Sequence, residues 1–180
     1  GRLGGEKSLD VLIRAFARFP RSTRATLVLS GTGPDAPTLK ALSGRLGLSS
    51  RVRFVGFVPE RDFPNLYAMS DVFAIPSTAE LQSIVTLEAM GSGLPVVAAD
   101  SNALPELCRH GENGFLFEPF RPDLMAARLR ALISSPSLRA RMGAASRRLV
   151  APHDYGRVIG RFEALYREVI ESFGKRKTGS

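Results

Sequence analysis

Short apolar runs along this chain alternate with longer segments whose apolar positions recur every three or four residues. Leu9, Leu12, Ile13 and Phe16 have helical spacing behind a glycine-rich opening, Gly1-Arg2-Leu3-Gly4-Gly5. Residues 25–30 read as a strand, and Gly31-Thr32-Gly33-Pro34 leads into a helix over about 35–46, with Pro34 suited to its first turn. Residues 52–55 form a strand leaving through Gly56, 62–69 a short helix, and 71–76 a further strand. A helix from about Gln82 is stopped by Gly91-Ser92-Gly93. Two strands follow, 94–98 and then one over 111–117 behind an Asn-Gly turn. From Pro122 the pattern is helical, over 122–134, 137–150 and 155–173, with Phe162, Leu165, Tyr166, Val169 and Phe173 in one stripe. Strands separated by helices throughout predict an α/β fold, a Rossmann-like parallel sheet with helices on both faces.

The chemistry concentrates in the βαβ unit over 71–98, because such units collect ligands at the carboxyl ends of their strands. Glu80 lies in the loop at that edge. Backbone amides of Gln82, Ser83 and Ile84 at a helix start have no intrahelical acceptor, and the helix dipole suits a phosphate there. Glu88, two turns on, is acidic among Val85, Leu87 and Met90. A carboxylate at the edge of a core needs partners, and paired sugar hydroxyls would serve. The plainer alternative pairs Glu88 with a structural arginine and leaves Glu80 a solvated loop acid. In the opening loop, glycines let backbone approach a ligand, and Arg2 with Lys7 offers a guanidinium fork and an ammonium to a diphosphate.

These residues resemble the motifs of the glycosyl transferases group 1, the retaining family 4 enzymes of GT-B fold. Glu80 and Glu88 keep the E-x7-E spacing, and Glu88-Ala89-Met90, Gly93 and Pro95-Val96-Val97 match, although Gln82-Ser83 replaces the usual Phe-Gly. Gly1, Arg2, Glu6 and Lys7 match G-R-x-x-x-E-K. Gly31-Thr32-Gly33-Pro34 looks like the G-x-G-P loop, 66–72 like L-Y-x-x-A-D-V, which reads as scaffold, and 102–107 like the G-x-P-E segment.

The resemblance implies a nucleotide-sugar donor domain, the C-terminal half of a GT-B fold. Arg2, Lys7 and Glu80 would be its catalytic residues, and Glu88, Gln82, Ser83, Ile84, Gly31, Gly33, Phe57 and Val58 its donor contacts. Phe57 and Val58 would border the base, although aromatics beside a β-run are as readily core. No D-x-D pair occurs, so metal-independent binding without a cofactor is expected, and UDP or GDP would be the carrier. The donor domain would span 1–152, a helix over 153–173 would cross toward an N-terminal acceptor domain outside this chain, and 174–180 would be a disordered basic tail.

Composition narrows this further. With 180 residues and 44% hydrophobic content the chain can bury one domain's core, and residues 1–3 read as the end of a strand, the latter part of a longer protein. One cysteine, Cys108, excludes an internal disulfide and fits a reducing, cytoplasmic compartment. His110 and His153 are too few for a histidine-rich metal site. The charge of +8 comes largely from arginine, with clusters at 14–24, 139–148 and 175–177. Without interleaved aromatics this is weak evidence for nucleic acid. It agrees with peripheral work at an anionic membrane face, and the resemblance implies a lipid or a glycan as the acceptor.

Other readings remain at this stage. Gly31, Gly33 and Ala36 nearly spell a dinucleotide fingerprint, which would make this a nicotinamide-dependent oxidoreductase, but no acidic residue ends the next strand to hold a ribose. A sugar phosphorylase or epimerase of GT-B fold would share the phosphate cations. Paired carboxylates also serve hydrolysis, against which a helix start beside Glu80 disfavours a neutral acid.

Overall fold

The computed structural model describes residues 1–177, with side chains through 173. Five strands each lead through a helix to the next element: β1 (Leu27–Ser30), α2 (Ala36–Arg45), β2 (Val52–Gly56), α3 (Phe63–Ala68), β3 (Phe73–Ile75), α4 (Ile84–Gly91), β4 (Val96–Ala99), α5 (Leu104–Leu107), β5 (Gly114–Phe117) and α6 (Pro122–Ile133). Helix α1 (Leu9–Phe16) precedes them, and α7 (Pro136–Val150) and α8 (Tyr155–Lys177) follow. All pairings are parallel, but they form two ladders, β1-β2 and β3-β4-β5. Residues 1–3 extend the first: the Gly1 amine donates to Ser30 O at 3.2 Å and Leu3 N to Thr32 O at 2.9 Å, the two-residue step of a parallel pair.

Burial follows the strands. Successive side chains point to opposite faces, and Val96, Val97, Ala98 and Ala99 are all 0% exposed, so β4 is covered on both sides. Each of its valines contributes roughly 1.5–3 kcal/mol by leaving water. The β1-β2 ladder is covered on one side, where Leu29 and Val52 are buried, while Val28, Arg53 and Val55 stand exposed on the other. Helices thus lie on both faces of the sheet, as expected, and cover β4 fully and the β1-β2 ladder on one side. Helix α1 packs on α6, and α4 on α7, where Gly143 leaves room for the Gly93 carbonyl; a Cβ there would sit 2.1 Å from that oxygen.

Two expectations shift. The proline in the first turn of α2 is Pro37, since the helix begins at Ala36 and Pro34 stays in the loop. Helix α8 runs to Lys177, so the tail expected to be disordered from 174 is helical to that point, and 178–180 lie outside the described residues. The α8 stripe of Phe162, Leu165, Tyr166, Val169 and Phe173 is exposed. No helix among the described residues is long and apolar enough to cross a membrane.

Candidate active site

The parallel strands end at one edge, and the loops leaving them carry the candidate residues. Their backbone geometry is set by close packing. A Cβ on Gly33 would lie 2.3 Å from Leu3 O, and one on Gly31, whose φ is +126°, would overlap the Gly1 carbonyl. Only glycine lets the loop after β1 lie against residues 1–3. Gly31 and Gly33 thus hold the Arg2 segment to the sheet edge, and their open faces are spent on protein backbone. Gly31 N also donates to Gly56 O at 2.7 Å, bringing the end of β2, with Phe57 and Val58, beside this loop. Phe57 is 76% exposed, which rules out the core alternative for its ring.

Lys7 closes a single turn of 3-10 helix, Gly5–Lys7, ahead of α1. Its Nζ donates to Glu80 Oε1 at 2.5 Å, so two residues 73 apart in sequence meet at the centre of the edge. Glu80 is only 7% exposed. Burial alone would raise its pKa, but the Lys7 hydrogen bond and charge, helped by the Ser77 and Ser83 hydroxyls, hold it below the usual carboxylate range. The solvated-acid alternative fails accordingly. The Glu80 loop is clasped from the loop after β4: Asn102 Nδ2 donates to Thr78 O at 2.5 Å and Ala103 N to Glu80 O at 3.2 Å.

Helix α4 starts at Ile84, two residues later than expected, because Ser83 adopts a left-handed conformation with φ 50° and ψ 64°. Gln82 precedes the helix and is exposed, so its amide belongs to the loop. The helix-start amides are instead those of Ser83, Ile84 and Val85, since Thr86 N already donates to Ser83 O at 2.9 Å. Glu88 is exposed on the same helix and has no arginine partner among the described residues; Tyr67 Oη donates to its Oε2 at 2.9 Å. The pKa of the Gly1 amine is lowered by burial and then by the Lys7 charge, against a smaller raising effect of Glu88, so both side chains lie near that amine.

The structure therefore gathers Lys7, Glu80, Ser83, Ile84 and Glu88. Arg2 is exposed and makes no ion pair among the described residues. Phe57 and Val58 reach the edge through the β2 end alone. A separate cleft of about 310 Å³, bordered by Gly4, Gly5, Ser8, Arg14, Asp35 and Arg45, lies behind the Lys7 turn and includes neither glutamate. Sequence reading missed Tyr67. The signal for it, a tyrosine in a short helix before an acidic βαβ helix, carries no spacing rule that joins the two.

Such an edge offers a cation, a set of helix-start amides and a carboxylate with a free oxygen, which suits a phosphorylated ligand bearing hydroxyls. Comparison with known proteins agrees. Residues 1–149 match the family described as glycosyl transferases group 1. The chain is 33% identical to alpha-D-kanosaminyltransferase of Streptomyces kanamyceticus over 94% of its length and 44% of that protein. It is also 33% identical to D-inositol 3-phosphate glycosyltransferase of Salinispora arenicola, over 99% of this chain and 42% of the relative. It thus spans less than half the length of these relatives. Among solved structures, Anabaena HepE in complex with UDP superposes with TM-score 0.81 and 30% identity, over 97% of this chain and 47% of that one.

Proposed function

Since the chain belongs to the glycosyl transferases group 1, a family of GT-B glycosyltransferases, we propose that it is the donor-binding domain of a retaining enzyme that transfers a hexose from a nucleotide diphosphate to a lipid or glycan acceptor. The observation that carries this reading is the meeting of Lys7 and Glu80 in front of the α4 start, with Glu88 two turns along the same helix. Lys7, joined by Arg2, takes up negative charge on the leaving diphosphate, a preorganised electrostatic role. The Ser83, Ile84 and Val85 amides add the positive end of α4 to the same phosphates. Glu88 accepts from the ribose hydroxyls, and Glu80 from hydroxyls of the donor sugar. Phe57 and Val58 border the base.

Glu80 held ionised by Lys7 is a poor proton donor, which disfavours a hydrolytic pair with Glu80 as the general acid. The dinucleotide reading loses its basis too, because Gly31 and Gly33 are packed against residues 1–3. Two cations and the helix start do the work that a divalent ion would otherwise do, so binding is metal-independent. The acceptor is held by an N-terminal domain, and closure between the halves excludes water, so this chain alone binds donor and transfers nothing. Work at a cytoplasmic, anionic membrane face accords with the net charge of +8.

Calorimetry of this chain against UDP-, GDP- and ADP-sugars with EDTA, beside NAD, tests the reading. One nucleotide sugar binds, and Lys7→Ala weakens it at least ten-fold. Binding of NAD alone, strict dependence on a divalent ion, or sugar transfer by the isolated chain would each contradict a part of it.

A further inference from the structure

The hydrogen bond between Tyr67 and Glu88 joins a residue with no assigned role to one that faces the ligand. Tyr67 lies on α3, its ring 8% exposed and packed into a small core with Ala89 and Leu94. Phe63 stacks on it with centroids 6.1 Å apart, and Phe73 meets it edge-on at 6.3 Å. The ring is therefore fixed on both sides. Its hydroxyl emerges 2.9 Å from Glu88 Oε2, with Val85 O farther off at 3.4 Å. One phenolic proton serves one acceptor well, and the shorter, charged partner takes it.

Glu88 is on an exposed helix face, where a long side chain ordinarily samples several rotamers. We infer that Tyr67 is a positioning residue for nucleotide binding: it anchors Glu88 Oε2 so that Oε1 is presented to the vicinal hydroxyls of the ribose. This rests on the donor-binding reading above. Burial, and then the hydrogen bond and charge of Glu88, push the Tyr67 phenol well above its ordinary pKa, so it remains a donor at any working pH. A carboxylate held by a neutral donor keeps its full charge, whereas a cation in the same place would compete with the ligand.

The test is calorimetry of the protein and its Tyr67→Phe, Glu88→Ala and double variants with UDP, GDP and ADP, each beside its 2′,3′-dideoxy form. Tyr67→Phe keeps the ring and its packing. It is expected to weaken the ribose form of the bound nucleotide roughly ten-fold, the scale of one hydrogen bond to a charged group. The dideoxy form should be unaffected, and the substitution should add nothing in the Glu88→Ala background. Equal losses on the ribose and dideoxy forms, or an undiminished loss without Glu88, would mean that the phenol only supports the fold. If Glu88→Ala weakens binding and Tyr67→Phe does not, positioning by Tyr67 is refuted while the donor reading stands. If Glu88→Ala leaves all three nucleotides unchanged, the ribose assignment itself falls and takes this inference with it.

Discussion

Glu80 and Glu88 lie eight residues apart at one sheet edge and are held in opposite ways. Glu80 is buried, bonded to an ammonium and flanked by two hydroxyls, with its own carbonyl tied to Ala103. Glu88 is exposed and bonded to one neutral phenol. The first carboxylate is already neutralised inside the protein. The second leaves its charge unspent. An internal ion pair at a binding site stabilises the fold and stores a cation where phosphate charge will arrive, while an uncompensated carboxylate fixed by a neutral donor stays available to hydroxyls. The same residue type is therefore locked into the fold at one position and left more open to a ligand's hydroxyls at the other.

The sharpest way to break the contrast is Lys7→Ala. Removing one partner of a buried pair costs about 3–5 kcal/mol, and an exposed pair contributes about 0–1 kcal/mol. With side chains 30% and 8% exposed, the Lys7–Glu80 pair falls between, and a loss of about 2 kcal/mol in urea denaturation is expected. The pH response distinguishes this from generic damage. In the wild type Glu80 titrates below its unfolded value, so the pair's contribution is complete above about pH 4.3 and is lost as pH falls through the lower folded value. Without Lys7 two of the lowering causes are gone while burial remains, so Glu80 takes up its proton at a higher pH than in the wild type and the variant's deficit should narrow on acidification. If variant and wild type weaken in parallel as pH falls, Lys7 is not what keeps the proton off Glu80.

Glu88→Ala probes the other half and should do the reverse. It removes no ion pair, and the Tyr67 hydroxyl it frees has Val85 O at 3.4 Å, so stability should change by less than about 1 kcal/mol. Nucleotide affinity should drop roughly ten-fold. A Glu88→Ala variant as destabilised as Lys7→Ala would place both glutamates in one structural class and end the distinction.

How much of this the sequence disclosed follows the same division. The alternation of strands and helices, the Glu80 and Glu88 spacing and the Lys7 turn were readable because each is local: a period, a cap, a run of glycines. The partners of the two glutamates were not. Lys7 meets Glu80 across 73 residues and Tyr67 meets Glu88 across 21, and no periodicity links such positions; only the parallel stacking of βαβ units brings them to one edge. Exposure stayed open for a related reason. Phe57 has the composition of a core residue, yet it follows Gly56 at φ +70°, which turns the chain out of the ladder. The two-residue error at the start of α4 has a local cause in Ser83, whose left-handed backbone nothing in its side chain demands.

Ser83 supplies the finest test of the contrast, because its hydroxyl supports Glu80 and makes no contact with Glu88. A non-glycine residue at φ 50° costs roughly 1 kcal/mol, which Ser83→Gly would relieve. Against that, the substitution removes the 2.7 Å bond to the Thr86 hydroxyl, buried at 0% exposure, and gives the unfolded chain more freedom. These terms nearly cancel, so Ser83→Gly should lie within about 0.5 kcal/mol of wild type. Ser83→Ala loses the same hydroxyl and keeps the strain but spares the extra freedom of the unfolded glycine chain, so it should be less stable than the glycine variant by only about 0.5 kcal/mol. A glycine variant less stable than the alanine variant would show that position 83 stores no strain. Start-of-helix amides would then be set by the helix itself, and Glu80 would owe its burial to Lys7 and the Asn102 clasp alone.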